Sequence, residues 1–259
     1  MKPYSLILWD FDGTLYEETP QIKEDFARSA RRAVRNQIQE QLHKCLYTVT
    51  TDETIDSLLK QSREMYGDSF TLLALGKHSE EKRGLGQLSE QELHRKHHEN
   101  LNSSLLKPNE KLVDAFVRLE QAGVASAIVT HGHMIWTKKA LERCGLSPFF
   151  PEDKIVTAEK INFKKKHRDI EAFSLALQTM GMNADNLDPE SVMFVEDKAK
   201  NLFFPKNDFK WTTCLITPEH KKNLSHVDVQ CAAPEDVIDL VIKYNLMVAP
   251  DRIAPEPVV

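Results

Sequence analysis

The first chemically suggestive feature is a pair of aspartates two residues apart. Asp10 and Asp12 stand in Asp10-Phe11-Asp12-Gly13-Thr14-Leu15, directly after the apolar run 4–9 (YSLILW). At that spacing both carboxylates leave a strand end toward one pocket, and Gly13 permits a sharp backbone turn. The first carboxylate can act as a nucleophile and form a covalent intermediate, splitting one hard displacement into two easier ones. The second can protonate the leaving alcohol and later take a proton from water. Taken alone, the same residues could form a turn that merely uses Asp and Gly.

Other polar residues also end apolar runs. Thr130 closes 124–129 (VASAIV) and is followed by His131 and His133, while Glu196 and Asp197 close 191–195 (SVMFV), with Asn201 just beyond. Lys164, Lys165 and Lys166 run together ahead of a helical stretch that contains Phe173. Asp10, Asp12, Glu196 and Asp197 in one pocket would repel each other and a phosphate dianion. A hard divalent cation offsets both repulsions, and Mg2+ prefers carboxylate and water ligands. Each residue also has a plainer reading: turn histidines at 131 and 133, a solvated lysine face, an acidic helix start at 196–197. His94, His97 and His98 lie in a polar helical stretch without a carboxylate at ligand spacing and read as solvated. Trp136 and Trp211 read as packing residues.

These residues need a scaffold that gathers strand ends. Short continuous apolar runs at 4–9, 124–129, 191–195 and 212–216, with a weaker one at 154–157, suit strands buried on both faces. Amphipathic stretches at 109–122, 134–144, 169–181 and 234–244 alternate with them. The pattern predicts an α/β fold, a parallel sheet flanked by helices, with ligands bound beyond the carboxyl ends of the strands. Residues 19–107 are polar and helical in pattern, with helices at 21–43 and 52–66, a helix start at 51–54 (TDET) and a capping-box pattern at 89–92 (SEQE). The predicted division is a core of 1–18 and 108–247, a helical insertion at 19–107 over the active site, and a Pro-rich tail or linker at 248–259.

Bulk properties narrow the function. With 259 residues, 41% hydrophobic and 28% charged, the chain has the composition of a globular enzyme. A net charge of -5 argues against a nucleic-acid partner. No apolar stretch approaches the roughly 20 residues of a membrane helix, and the N-terminus lacks the long apolar region of a signal peptide; cytoplasmic residence is the expectation. Cys45, Cys144, Cys214 and Cys231 form no CxxC pair and read as reduced thiols.

Asp10 to Leu15 resembles the first signature of the haloacid dehalogenase (HAD)-like hydrolases, and Thr130 resembles the second. For the third, a single lysine, the spacing to Phe173 favours Lys166 and then Lys165, with His167 where relatives often carry proline. Glu196-Asp197 followed by Asn201 resembles the fourth, metal-binding signature. The resemblance implies a Rossmann-like HAD core with an inserted α-helical cap of C1 type, and a magnesium-dependent phosphatase. In it Asp10 is the nucleophile, Asp12 the general acid/base, Thr130 a hydrogen-bond donor to phosphate, and Lys166 the cation offsetting the phosphorylated aspartate. Metal ligands would be the Asp10 side chain, the Asp12 carbonyl and the Asp197 side chain, with Glu196 acting through a bound water. Gly13, His131, Lys165 and Asn201 would join Thr130 and Lys166 around the substrate.

Relatives that act on carbon–halogen or phosphonate bonds usually lack the second aspartate, so Asp12 favours phosphate esters. EDKAKNL at 196–202 followed by TTCLI is similar to the pyrimidine 5'-nucleotidase-like branch, which implies a nucleotide monophosphate or another small phosphometabolite. Gly13 stands where that branch often has Asn, and Glu196 where it often has Asp. The polar cap segment leaves phosphotyrosine in a protein as a rival substrate. A catalytically silent binding module and a phosphotransferase or mutase are the further alternatives.

Overall fold

The computed structural model describes residues 2–42, 51–66, 90–183 and 186–250. Its centre is a six-stranded, wholly parallel sheet of β1 (Leu6–Trp9), β2 (Ala125–Val129), β3 (Ile155–Val156), β4 (Val192–Glu196), β5 (Thr212–Ile216) and β6 (Val229–Cys231), in the order β3-β2-β1-β4-β5-β6. The two central strands, β1 and β4, are buried along their whole length. That is why their sequences read as unbroken apolar runs rather than alternating ones. Register is tight across the middle: Trp9 pairs with Ile128 on one side and with Val195 on the other. The chain order reverses between β1 and β4, so the carboxyl ends of β1, β2 and β4 face one crevice.

The chain divides into two compact units, Met1–Glu17 with Leu106–Val259, and Glu18–Leu105. In the first, the helices Glu110–Gln121, Met134–Cys144, Glu171–Thr179 and Pro234–Val248 connect or follow the strands. Asn109 caps the first of these, its side chain accepting from the Leu112 amide. Leu8, Val129, Phe194 and Leu215 from the sheet pack with Phe173 and Leu177 of the helix Glu171–Thr179 and with Trp211. Phe173 is fully buried, and its ring lies edge-on to those of Phe194, Phe209 and Trp211 at centroid distances of 5.2, 5.9 and 6.0 Å.

The second unit holds the helices Pro20–Leu42, Asp52–Tyr66 and Glu90–Glu99 around a small core of Val34, Ile55 and Leu93. The helix start expected at Thr51 is present, with the Thr51 hydroxyl accepting from the Thr54 amide. Cys45, Ser89 of the expected capping box and the tail beyond residue 250 lie outside the described residues.

Three expectations change. His94, His97 and His98 are buried rather than solvated; the His94 and His98 rings lie 4.3 Å apart, tilted by 50°, and the Ser29 hydroxyl donates to the His97 carbonyl. Burial also pushes the His97 imidazole down to about 4, so it is neutral. Strand β6 is absent from the sequence expectation: three half-buried residues at a sheet edge leave no apolar run. The last helix runs four residues past the expected end at 244, to Val248. Among the described residues, no helix is long and apolar enough to cross a membrane.

Because Phe173 joins helix and sheet inside one aromatic cluster, Phe173→Ala should cost about 3–5 kcal/mol of unfolding free energy. Urea denaturation of the two proteins measures it. A loss below about 1 kcal/mol would show that the cluster does not anchor this helix.

Candidate active site

The four signature segments converge within the first unit. Asp10 follows β1 and is held in register by its amide, which donates to the Val195 carbonyl of β4 at 2.9 Å. The chain then turns at once, with the amides of Thr14 and Leu15 donating to the Phe11 carbonyl at 3.2 and 3.0 Å. Gly13 lies in the turn at φ +83°, where an L side chain is strained. A Cβ there would also stand 2.7 Å from Asp197 Oδ2. Gly13 therefore lets the β1 and β4 tips approach closely.

Lys166 ties these tips together. It sits in the loop ahead of the helix Glu171–Thr179 and is wholly buried. Its ammonium donates to Asp10 Oδ1, to Glu196 Oε2 at 2.7 Å and to the Val129 carbonyl at 3.2 Å. Three protons thus meet three acceptors, drawn from the ends of β1, β4 and β2. Of the lysine run, Lys164 pairs with Asp169 and Glu171 at 2.9 and 2.6 Å, and the Lys165 carbonyl accepts from the amides of Arg168 and Asp169. Spacing ranks Lys166 first, and it is the one beside Asp10.

Glu196 is committed to protein donors. Besides Lys166, it accepts from Asn201 Nδ2 at 2.8 Å and from the Lys198 amide at 3.2 Å. Thr130 ends β2, its hydroxyl accepting from the Gly132 amide at 2.9 Å and lying 3.4 Å from Asp12 Oδ2. His131 Nε2 accepts from the Lys166 amide at 3.1 Å. Burial and the neighbouring Lys166 cation hold the His131 imidazole well below its ordinary value, so it is neutral and able to accept. His133 caps the helix Met134–Cys144, its Nδ1 accepting from the Ile135 amide at 3.2 Å.

Acidity shows the cost of gathering these groups. Burial, aided by Glu196, pushes the Asp10 carboxyl up to about 6 despite Lys166. Asp12, Glu196 and Asp197 are also raised, burial being the leading cause for each. For Lys166, burial works to lower the value, but Asp10 and Glu196 outweigh it and the ammonium is held charged. Carboxylates therefore outnumber the buried cation. Oxygens of Asp10, Glu196 and Asp197 lie within 4.8 Å of one another. Among the described residues, Asp197 Oδ1 is buried without a hydrogen-bond partner, 3.5 Å from the Lys198 ammonium. Three carboxylates brought this close, one of them with a buried oxygen that lacks a hydrogen bond, fit a divalent cation.

Two residues escape the sequence reading. Trp136, read as packing, is buried but also donates from its indole Nε1 to Asp12 Oδ1 at 2.9 Å. The Tyr16 hydroxyl donates to the same oxygen. An indole hydrogen bond across 124 residues of sequence leaves no local signal; Tyr16, four residues from Asp12, could have been found from the turn.

A family model for haloacid dehalogenase-like hydrolases matches residues 4–206. No curated protein matches the sequence. Solved structures similar in fold include CbbY from Rhodobacter sphaeroides in complex with phosphate, at 16% identity over 90% of this chain and 96% of that one, with a TM-score of 0.58. The HAD-family protein YfnB from Bacillus subtilis, bound to magnesium, is 20% identical over 93% and 99%, with a TM-score of 0.53. The L-2-haloacid dehalogenase from Xanthobacter autotrophicus is 16% identical over 92% and 98%, also at 0.53. At these identities the likeness is one of fold, and it does not single out the pyrimidine 5'-nucleotidase-like branch.

A cation at Asp10 and Asp197 competes with protons. Because every carboxyl in the cluster is raised, and Asp10 to about 6, the ligands are more protonated in acid. Apparent affinity for a divalent cation should rise about tenfold per pH unit below 6 and level off above it. Calorimetric titration from pH 5 to 8 measures this, and an affinity that does not change with pH would contradict it.

Proposed function

Since the chain belongs to the haloacid dehalogenase-like hydrolases, we propose that it is a magnesium-dependent phosphatase that hydrolyses a phosphate monoester through an aspartyl-phosphate on Asp10. The observation that carries this reading is Asp12. The fold also serves a dehalogenase, but here a second carboxylate lies beside Thr130, with one oxygen, Oδ2, 3.4 Å from the Thr130 hydroxyl.

Lys166 holds Asp10 in place through Oδ1, and the Thr14 hydroxyl donates to Oδ2 at 3.2 Å. An Asp10 oxygen attacks phosphorus in line as the bond to the ester oxygen breaks. Asp12 gives its proton to that leaving oxygen. Asp12, now a carboxylate, next takes a proton from water as the water oxygen bonds phosphorus and the Asp10–phosphorus bond breaks. Thr130 donates to a phosphate oxygen, and Lys166 offsets the charge of the phosphorylated Asp10. Glu196, held by Asn201 and the Lys198 amide, keeps the lysine aimed. His131, by accepting from the Lys166 amide, sets the loop that carries it. Mg2+, held by the Asp10 side chain, the Asp12 carbonyl and the Asp197 side chain, would draw the phosphate dianion into this acidic pocket. The magnesium and phosphate bound by YfnB and CbbY respectively support the same chemistry.

For the substrate we infer a small phosphometabolite such as a nucleotide monophosphate. The support is the helices Pro20–Leu42, Asp52–Tyr66 and Glu90–Glu99, which come between the first and second strands in the chain, and the EDKAKNL segment at 196–202. Turnover of nucleotide monophosphates well above that of phosphotyrosine peptides would agree with it, and the reverse ranking would move the substrate to protein phosphotyrosine.

Asp10→Asn should lower turnover of an aryl phosphate in Mg2+ by about a thousandfold or more while the circular dichroism spectrum is kept. Near-wild-type turnover by that variant would sink the mechanism.

A further inference from the structure

Asp12 is gripped through one oxygen. Trp136 Nε1 donates to Oδ1 at 2.9 Å, and the Tyr16 hydroxyl donates to the same atom. The indole N–H also lies 3.3 Å from the Tyr16 oxygen, so the three groups close a small ring. Both donors are fixed by their surroundings. Trp136 is 2% exposed on the helix Met134–Cys144. Tyr16 is returned toward Asp12 by the turn after β1, which makes a single bridge between residues 12 and 16. The Tyr16 ring packs edge-on between Phe11 and Trp136, at 5.3 and 6.4 Å. The second oxygen, Oδ2, accepts one longer hydrogen bond, from the Thr130 hydroxyl at 3.4 Å.

A carboxyl oxygen that accepts hydrogen bonds from two donors is the poorer place for a proton. We propose that Trp136 and Tyr16 are positioning residues for proton transfer by Asp12. By loading Oδ1 they make it the carbonyl oxygen of the acid form, place the transferable proton on Oδ2, and aim Oδ2 toward the phosphate-binding hydroxyl of Thr130. This rests on the reading of Asp12 as general acid/base. In the first step the Oδ2 proton passes to the ester oxygen as its bond to phosphorus breaks and the Asp10–phosphorus bond forms. In the second, attacking water returns a proton to Oδ2 as the Asp10–phosphorus bond breaks and inorganic phosphate leaves. Oδ1 carries no proton at either stage.

Loss of the donors should therefore matter most where the leaving group needs a proton. Trp136→Phe and Tyr16→Phe keep the rings and remove the N–H and O–H. The full chain in Mg2+ is assayed on esters ranging from p-nitrophenyl phosphate, whose leaving group departs readily, to an alkyl phosphate. The double variant should lose about threefold on p-nitrophenyl phosphate and about tenfold or more on the alkyl ester, in kcat rather than KM. Tyr16→Phe, at a less buried position, should show the same trend alone and carries the test if Trp136→Phe does not fold. Equal losses across the series, or none, overturn the assignment while leaving the phosphatase reading intact. A wild-type chain inactive on every ester removes both.

Discussion

The site depends on one buried ammonium. Lys166 is withdrawn from water yet remains charged, because its three protons meet Asp10, Glu196 and the Val129 carbonyl. Burying these charges is costly, and attraction between them offsets it only where the geometry leaves no donor unmet. Removing either carboxylate would leave one proton of the ammonium unmet, and removing the lysine would take from Asp10 and Glu196 the cation they share. Such a cluster therefore demands a scaffold that fixes three strand ends at once. The β2-β1-β4 arrangement does this: Trp9 lies in register with Ile128 and Val195, so the residues just beyond each strand meet at one height. Sheet register is thus what delivers the charges to each other.

That cluster explains why the site asks for a further cation. Lys166 answers two carboxylates, and Asn201 and the Lys198 amide complete Glu196. Among the described residues, Asp197 keeps a buried oxygen with no hydrogen bond, only the Lys198 ammonium 3.5 Å away. Gly13 is the backbone counterpart of this demand. Any larger residue would intrude on Asp197 Oδ2, so the close approach of the two acidic tips requires a glycine at positive φ. Burial, with the crowding, raises the carboxyls above their ordinary range, so a divalent ion there would compete with protons for the same oxygens.

Much of this was legible in the sequence, for reasons particular to each element. Strands β1, β2, β4 and β5 announced themselves because burial on both faces leaves unbroken apolar runs, and the polar residue that ends each run marked the crevice. Asp10, Thr130, Glu196 and Asp197 were visible for that reason. Lys166 could be ranked above its neighbours only by its spacing to Phe173; nothing local distinguishes a lysine that enters the core from Lys164, which pairs on the surface with Asp169 and Glu171. Strand β6 was missed because an edge strand of three half-buried residues carries no pattern. The histidines of the helix Glu90–Glu99 were misread because a polar composition says little about which face of a helix is covered. Trp136 was assigned to packing, as most buried tryptophans are, and its indole N–H gave no sign of its distant acceptor.

The last constraint concerns how one fold supports different reactions. The structures that share this architecture include a dehalogenase as well as a protein in complex with phosphate, so the sheet and its crevice do not by themselves choose the chemistry. On the proposed reading, the choice rests on the side chain two positions beyond Asp10. In this chain that residue, Asp12, is a carboxylic acid raised by burial. Being raised, it is better able to hold the proton that an alkoxide leaving group requires. A carbon–halogen bond breaks to give a halide, which needs no proton, and for that reaction Asp12 would only add repulsion beside an anionic nucleophile. The support of Asp12, two donors on one oxygen and a threonine hydroxyl near the other, is on that proposal an arrangement that ester cleavage would use and dehalogenation would not.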